Sequence, residues 1–125
     1  MADHRPTRLV ALRGATTVDA DTSDEIKQRT AELLTVLLER NRLAVDDIVS
    51  IVFTATPDLR ADFPAAAARE LGLSRTPLLC AQEIPVDGAV PRCVRVLLHC
   101  YAVPQMANHH VYLHEARQLR LDLPS

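Results

Sequence analysis

The stretch CAQEIPVDGAVPRCVRVLLHC, residues 80 to 100, places charged side chains inside what reads as the core of a β-sheet. Two apolar runs typical of strands flank a turn. The first run ends in Glu83, and the second carries Arg95 among cysteine, valine and leucine. Because a buried charge is costly unless it is paired or put to use, this stretch predicts either a structural ion pair across adjacent strands or a functional site.

The segments around this stretch predict further strands and helices. Thr22 and Glu25 have the spacing of a capping box, and apolar residues then recur on one helical stripe. Gly14 and the threonines after it permit a turn at the end of the first strand. We predict strands at 8–13, 48–56, 76–84, 90–102 and 109–121, helices at about 23–41 and 63–72, and a brief turn or helix at 103–109.

This order of elements predicts the α/β (α+β) class, with a mixed five-stranded sheet and helices on its outer face. In the fourth strand, residues on both faces are substantially apolar, since Val94 and Val96 alternate with Cys93 and Leu97. One layer of helices leaves the other face bare, so we predict that a partner subunit covers it in a closed homo-oligomer. The length of 125 residues predicts a single domain, 1–125, in which residues 1–7 form an unstructured extension.

Composition and cysteine usage exclude several classes of protein. The formal net charge is -2 and aromatic residues make up 3% of the chain, which argues against a nucleic-acid partner. The three cysteines are odd in number and form no CxxC pair. No apolar signal segment follows MADHRPTR, and no run is long enough to span a bilayer. We therefore expect reduced thiols, a cytoplasmic location and no membrane attachment.

The sequence does not favour a metal site or a cysteine nucleophile. His110 and His114, if both lie on a strand, stand roughly 13 Å apart, too far to share a metal ion. We interpret them as surface or interface histidines and expect no metal. Cys80 has no recognisable base beside it, so a small hydrophobic residue that lines a pocket is a better interpretation than a nucleophile.

Five polar side chains remain as candidates. Arg13 stands at the end of the first predicted strand, beside a turn, where sites are often built. Tyr112 alternates with apolar neighbours, and its hydroxyl would need a partner if buried. Arg69 follows a run of alanines and is more typical of a solvated face. Glu83 and Arg95 are the strongest candidates, because each lies in or beside a buried strand.

These residues lie in six blocks that resemble the monofunctional, trimeric chorismate mutases of the α/β-barrel type. The resemblance runs from about residue 8 to about residue 123, in order and with nearly matching spacing. It implies a homotrimer that assembles as a pseudo-α/β barrel, with active sites at the subunit interfaces. It also implies the rearrangement of chorismate to prephenate in aromatic amino acid biosynthesis, without a cofactor, metal or covalent intermediate. The blocks are RGATTV (13–18), ATPDL (55–59), FPAAAAREL (63–71), CAQE (80–83), RCVRV (92–96) and HVYL (110–113).

The resemblance also implies a role for each site residue. Arg95 would stabilise the negative charge that grows on the ether oxygen as its C–O bond breaks, and Glu83 would accept a hydrogen bond from the ring hydroxyl. Arg13 and Tyr112 would grip a substrate carboxylate. The pocket wall and its charged rim would be formed by Phe63, Arg69, Leu79 and Cys80, and the mobile C-terminal segment that covers the site would include Arg120 and the tail 121–125.

The sequence departs from the family pattern in three places. Ala66 stands where a lysine is common, the loop LGLSRTP is about one residue short, and only LDLPS follows Arg120. Two rival functions remain open. One is a same-fold trimer that acts on another small carboxylate, as an enamine or imine deaminase does, and the other is a trimer that only binds a metabolite. Glu83 and Arg95 together with the RGATT block favour the mutase.

Overall fold

The fold is seen in a computed structural model, which describes residues 7–103 and 108–122, and the side chains of those up to residue 119. Within these ranges, a mixed five-stranded sheet has the strand order β3-β2-β4-β1-β5. The prediction of a mixed five-stranded sheet with helices is confirmed. The strands are β1 (Arg8–Thr17), β2 (Ile48–Ala55), β3 (Leu78–Gln82), β4 (Cys93–Ala102) and β5 (Val111–Tyr112), and the helices are α1 (Ser23–Arg40), α2 (Ala65–Glu70) and 3-10 helices at Val45–Asp47 and His114–Asp122.

Helix α1 forms where capping and periodicity predict it. The side chain of Thr22 accepts a hydrogen bond from the backbone N–H of Glu25, at 3.2 Å, which satisfies one of the free donors of the first turn. The apolar stripe of the helix then faces the sheet and is buried. Its buried members are Ile26, Thr30, Leu33, Leu34 and Leu37.

The main core lies between the sheet and the two α-helices. Strand β4 buries alternate residues on this side, and Phe53 of β2 is fully buried among them. Such alternation is what a strand with one covered face produces. The β4 residues on this side are Val94, Val96, Leu98 and Cys100.

The turn predicted at Gly14 is wrong, because β1 continues through it to Thr17. The strand is held by antiparallel pairing with β4, in which Gly14 is opposite Val96. A Cβ atom at Gly14 would lie 2.9 Å from Cδ1 of Leu37 and 3.0 Å from Cγ2 of Val96. The glycine is therefore needed for the close approach of α1 to the sheet.

The fifth strand is also shorter than predicted. Only Val111 and Tyr112 pair with β1, in parallel, before His114 takes a positive φ of 55°. Residues other than glycine rarely adopt this backbone conformation, and an extended strand does not continue through it. The chain then forms the 3-10 helix His114–Asp122, which packs against the sheet face opposite α1. A small second core forms there from Ala15, Cys93, Tyr112 and Ala116.

The rest of that second sheet face is open in the single chain, and we call it the open face. The register places Leu9 opposite Tyr101 and Val52 opposite both Leu79 and Leu97. Four of these side chains are exposed: Leu9, Leu79, Leu97 and Tyr101. Large apolar side chains gathered and exposed on one sheet face mark an interaction site more often than singly scattered ones, so the open face is a candidate interface.

Three predicted segments fall wholly or mainly on residues that the structure does not describe. These are the extension at 1–7, the turn at 103–109 and the tail at 121–125, so they stay predictions. Among the described helices, none has the length and apolar character needed to cross a membrane.

Candidate active site

A cavity of about 500 Å³, which we call the first cavity, lies on the open face beside the 3-10 helix His114–Asp122. One row of paired residues crosses four strands and brings its polar groups together, since Thr54 is opposite Arg95, Arg95 opposite Ala15, and Ala15 opposite Tyr112. Residues paired across a sheet point to the same face. The side chains around the cavity include those of Arg13, Thr54, Arg95, Leu97, Tyr112 and Leu119.

Glu83 pairs with Arg95, which lines this cavity, but the two residues do not lie on adjacent strands. Strand β2 lies between β3 and β4, so that part of the prediction is wrong. Arg95 Nε is 3.6 Å from Glu83 Oε2, and the side chains of Arg95 and Glu83 are 45% and 25% exposed. The hydroxyl of Thr54 donates to the same Oε2. Ion pairs this exposed contribute only about 0–1 kcal/mol to stability, which makes a purely structural role a poor explanation for the pair.

Cys93 lies buried beside Arg95. Burial raises the pKa of the Cys93 thiol, and the guanidinium of Arg95 offsets part of that rise. A protonated, enclosed thiol is a poor nucleophile. Cys93 therefore acts as a packing residue of the small second core.

Tyr112 contributes a hydroxyl that has no partner within the described part of the chain. The residue is 7% exposed, and its Oη atom is buried without a hydrogen bond. A buried polar group left in this state costs about 1–3 kcal/mol. Because Tyr112 lines the cavity, a ligand oxygen bound there would remove that cost.

The backbone of Arg13 is held by a histidine. Arg13 N–H donates to Nδ1 of His110 at 3.0 Å, which requires that Nδ1 carry no proton. The pKa of His110 is lowered, first by burial and second by the positive charge of Arg13. The neutral imidazole thus helps to fix β5, and with it Tyr112, against β1.

We expect stability to depend on pH through His110. The pKa of His110 is lower in the folded chain than its value of 6.5 in the unfolded chain. Its contribution to the free energy of unfolding is therefore complete above pH 6.5 and is lost as the pH falls towards the folded pKa, because the unfolded chain takes up the proton first. His110→Asn keeps an acceptor but cannot titrate. In urea unfolding between about pH 5.5 and 7.5, the wild type should lose more stability on acidification than His110→Asn. Parallel curves for the two proteins would contradict the assignment.

The amino-acid sequence matches a known protein family along nearly its whole length. The family described as "Chorismate mutase type I" matches residues 9–123. The chain belongs to this chorismate mutase family. The 115-residue span, nearly the whole chain, begins at the second residue of β1 and extends past the end of the 3-10 helix His114–Asp122.

Individual chorismate mutases are similar along most of their length. "Chorismate mutase AroH" of Thermus thermophilus is 48% identical over 116 residues, which cover 91% of this chain and 95% of that protein. The AroH of Bacillus subtilis is 46% identical over 114 residues, with 90% of each chain covered. A solved chorismate mutase from Clostridium thermocellum superposes with a TM-score of 0.82 at 46% identity, covering 87% of this chain and 98% of that one.

The remaining residues predicted for the chorismate mutase site lie elsewhere in the single chain. Phe63 and Cys80 line a second cavity of about 580 Å³, between β3 and the loop that precedes α2. Leu79 is exposed on the open face, and Arg69 is exposed on α2. The side chain of Arg120 lies outside the described residues. One chain thus brings Arg13, Glu83, Arg95 and Tyr112 together and keeps Phe63, Arg69 and Cys80 apart from them.

The loop beside the second cavity is tied to the start of α1. Ser23 Oγ donates to Asp62, and Asp62 also accepts the backbone N–H of Phe63 at 2.7 Å. These bonds, the serine first, lower the pKa of Asp62, and the positive charges of Lys27 and Arg69 add to the effect. The loop that presents Phe63 is therefore held in place by the N-terminal end of α1.

Sequence reasoning missed the polar residue Thr54 and the apolar side chains of Val52, Leu97 and Leu119 in the first cavity. It also missed His110 as the partner of Arg13. A signal existed for Thr54, because Ser50, Val52 and Thr54 alternate along β2 and share the open face. No sequence signal links His110 to Arg13, which are 97 residues apart. In the described ranges, no group of three or more His, Cys, Asp or Glu side chains is placed to hold a metal ion.

Proposed function

We propose that this protein is an isomerase that rearranges chorismate to prephenate, and that the reaction takes place in the first cavity. The observation that carries the proposal is the convergence of Arg13, Arg95 and the Tyr112 hydroxyl, which has no partner among the described residues, on one cavity, with Glu83 at Arg95. Two guanidinium groups and a phenol hydroxyl fit a dicarboxylate. The family match supports the same reaction.

The proposed division of roles follows the charge that develops in the reaction. As the ether C–O bond breaks ahead of C–C bond formation, negative charge grows on the ether oxygen, where Arg95 would stabilise it. Glu83 would accept the hydrogen bond of the ring hydroxyl, and Arg13 with Tyr112 would bind a carboxylate. No proton transfer or nucleophile is required, which suits a site whose buried thiol, Cys93, is kept protonated.

The stabilisation of the transition state by Arg95 alone is too small to account for a large acceleration. A millionfold acceleration needs roughly 8 kcal/mol, and one preorganised donor supplies about 3–4. Holding the flexible substrate in its compact reactive shape must supply much of the remainder, and oriented binding is able to contribute that much. The carboxylate contacts at Arg13 and Tyr112 are the groups in this chain that would hold that shape.

We also propose a homotrimer with its sites at the subunit interfaces. The exposed apolar residues of the open face need a cover, and the first cavity opens among them. Phe63 and Cys80, which the family resemblance assigns to the pocket wall, line a different cavity of the same chain. A neighbouring protomer that docks its second cavity against the first would complete the pocket. With three free thiols, we place the protein in the cytoplasm.

The purified protein should consume chorismate and yield prephenate, which acid converts to phenylpyruvate, with no metal or nucleotide added. Turnover is followed by the loss of chorismate absorbance, in parallel with a sample that contains EDTA. If chorismate disappears only at the uncatalysed rate, the proposed function is wrong. Calorimetry separates a binding-only protein, which would take up chorismate without converting it. A deaminase-like activity is not favoured, because the chain belongs to the mutase family.

A further inference from the structure

A hydroxyl group lies between the two charged side chains of the candidate site. Glu83 follows β3 and Arg95 lies on β4, and β2 runs between these strands. Neighbouring strands are about 4.8 Å apart, so the two side chains bridge about 10 Å and meet over β2. Thr54 is the β2 residue paired with Arg95, and its hydroxyl donates to Oε2 of Glu83.

We propose that Thr54 is a positioning residue, whose hydroxyl fixes the Glu83 carboxylate so that Oε1 is presented to the hydroxyl of the substrate ring. This inference rests on the proposed function. It assigns Thr54 no direct contact with the reacting atoms. Its effect passes through Glu83.

Arg95 alone does not hold Glu83 in one place. The 3.6 Å between Arg95 Nε and Glu83 Oε2 is longer than a hydrogen bond, and both side chains are partly exposed. A single long contact of this kind leaves a glutamate free to change rotamer, because it contributes only about 0–1 kcal/mol. A hydrogen bond is needed in addition to select one rotamer, and the hydroxyl of Thr54 supplies it.

Thr54 is well suited to hold a partner still. Its β-branched side chain restricts χ1, and β2 is paired with β3 on one side and β4 on the other. Both contacts of the Glu83 carboxylate use Oε2, and Oε1 accepts no hydrogen bond from the described residues. The free oxygen lies on the carboxylate that the proposed function assigns to the ring hydroxyl.

Steady-state kinetics with chorismate test the inference. Thr54→Val keeps the shape and removes the donor, and it should lower kcat roughly tenfold while KM changes less than about twofold. Thr54→Ser restores the donor and should return kcat to within about threefold of the wild type. Ser50→Ala is the matched control, since Ser50 lies on the same strand and face but contacts His99, at 3.3 Å. It should leave both constants unchanged.

A double-mutant cycle tests whether the effect passes through Glu83. In a Glu83→Ala background, adding Thr54→Val should change kcat less than about twofold, because the group it positions is gone. If the double variant loses kcat by the product of the losses of the two single variants, the proposal is wrong. A Thr54→Ser variant as slow as Thr54→Val, or a Thr54→Val variant as fast as the wild type, would also overturn it.

Crystal structures of the unliganded wild type and Thr54→Val separate this inference from the proposed function. The Glu83 carboxylate should stay within about 4 Å of Arg95 in the wild type and move or split into several rotamers in the variant. An inactive wild type with that displacement would refute the chorismate reaction but not the hold of Thr54 on Glu83. An unmoved carboxylate in the variant would refute the hold itself.

Discussion

Arg95→Ala is expected to lower kcat for chorismate roughly a thousandfold or more while the protein keeps its fold and assembly. The guanidinium is the cation beside Glu83 in the cavity, and it would act on charge that exists only as the ether bond breaks. Such an interaction affects kcat and kcat/KM together. The side chain is 45% exposed, so its loss should change the free energy of unfolding by less than about 1 kcal/mol.

Two companion variants make this result specific. Arg95→Lys keeps a positive charge but loses the planar, multi-donor group, and its kcat should fall between those of the wild type and Arg95→Ala. Arg75→Ala removes an exposed arginine from the loop between α2 and β3, and it should behave as the wild type. If Arg95→Ala unfolds, Arg95 and Glu83 form a structural pair. If it turns over normally, Arg95 is not the catalytic cation.

Two inactive variants mixed together are expected to recover activity. Arg95→Ala damages the first cavity, and Arg69→Ala damages the rim proposed to come from a neighbouring protomer. When the two chains are unfolded, mixed equally and refolded, one interface type combines an intact Arg95 with an intact Arg69. Random assembly of a cyclic oligomer gives such interfaces in roughly a quarter of cases, so about a quarter of wild-type activity should return.

The controls for this experiment use the same two chains. Each variant refolded alone should stay inactive when assayed at chorismate concentrations well below KM. The two variants mixed without unfolding should recover little while their subunits do not exchange. If the refolded mixture stays as inactive as its parts, although it sediments as a trimer, the site lies within one chain and the interface proposal is wrong.

Local sequence signals predicted the elements whose structure does not depend on contacts with distant residues. The predicted range of α1, 23–41, matches the observed Ser23–Arg40, because a cap and an apolar stripe specify the same helix. Gly14 misled the prediction, since glycine also occurs where two elements approach closely. The reason for this glycine lies in Leu37 and Val96, which are far from it in sequence. The predicted length of the fifth strand was wrong for a similar reason, since the alternation of residues at 109–112 does not reveal the positive φ at His114.

The sequence predicted the charged residues of the candidate site but not the residues that hold them in position. Glu83 and Arg95 stood out because charge in an apolar strand needs a reason, and Tyr112 because a buried hydroxyl needs a partner. The strand order was not accessible from the sequence, so Thr54 between Glu83 and Arg95 was missed. Pairing of distant strands decides which side chains meet, and periodicity carries no information about it.

The three thiols differ in a way that has a practical consequence for chemical labelling. Burial raises the pKa of Cys100 to about 11 and also raises that of Cys93, so both remain protonated and enclosed at neutral pH. Cys80 is only partly buried and lines the second cavity. In the single chain, a maleimide or iodoacetamide reagent would therefore find one accessible attachment point, and the proposed assembly, which places Cys80 at a subunit interface, should shield it from the same reagent.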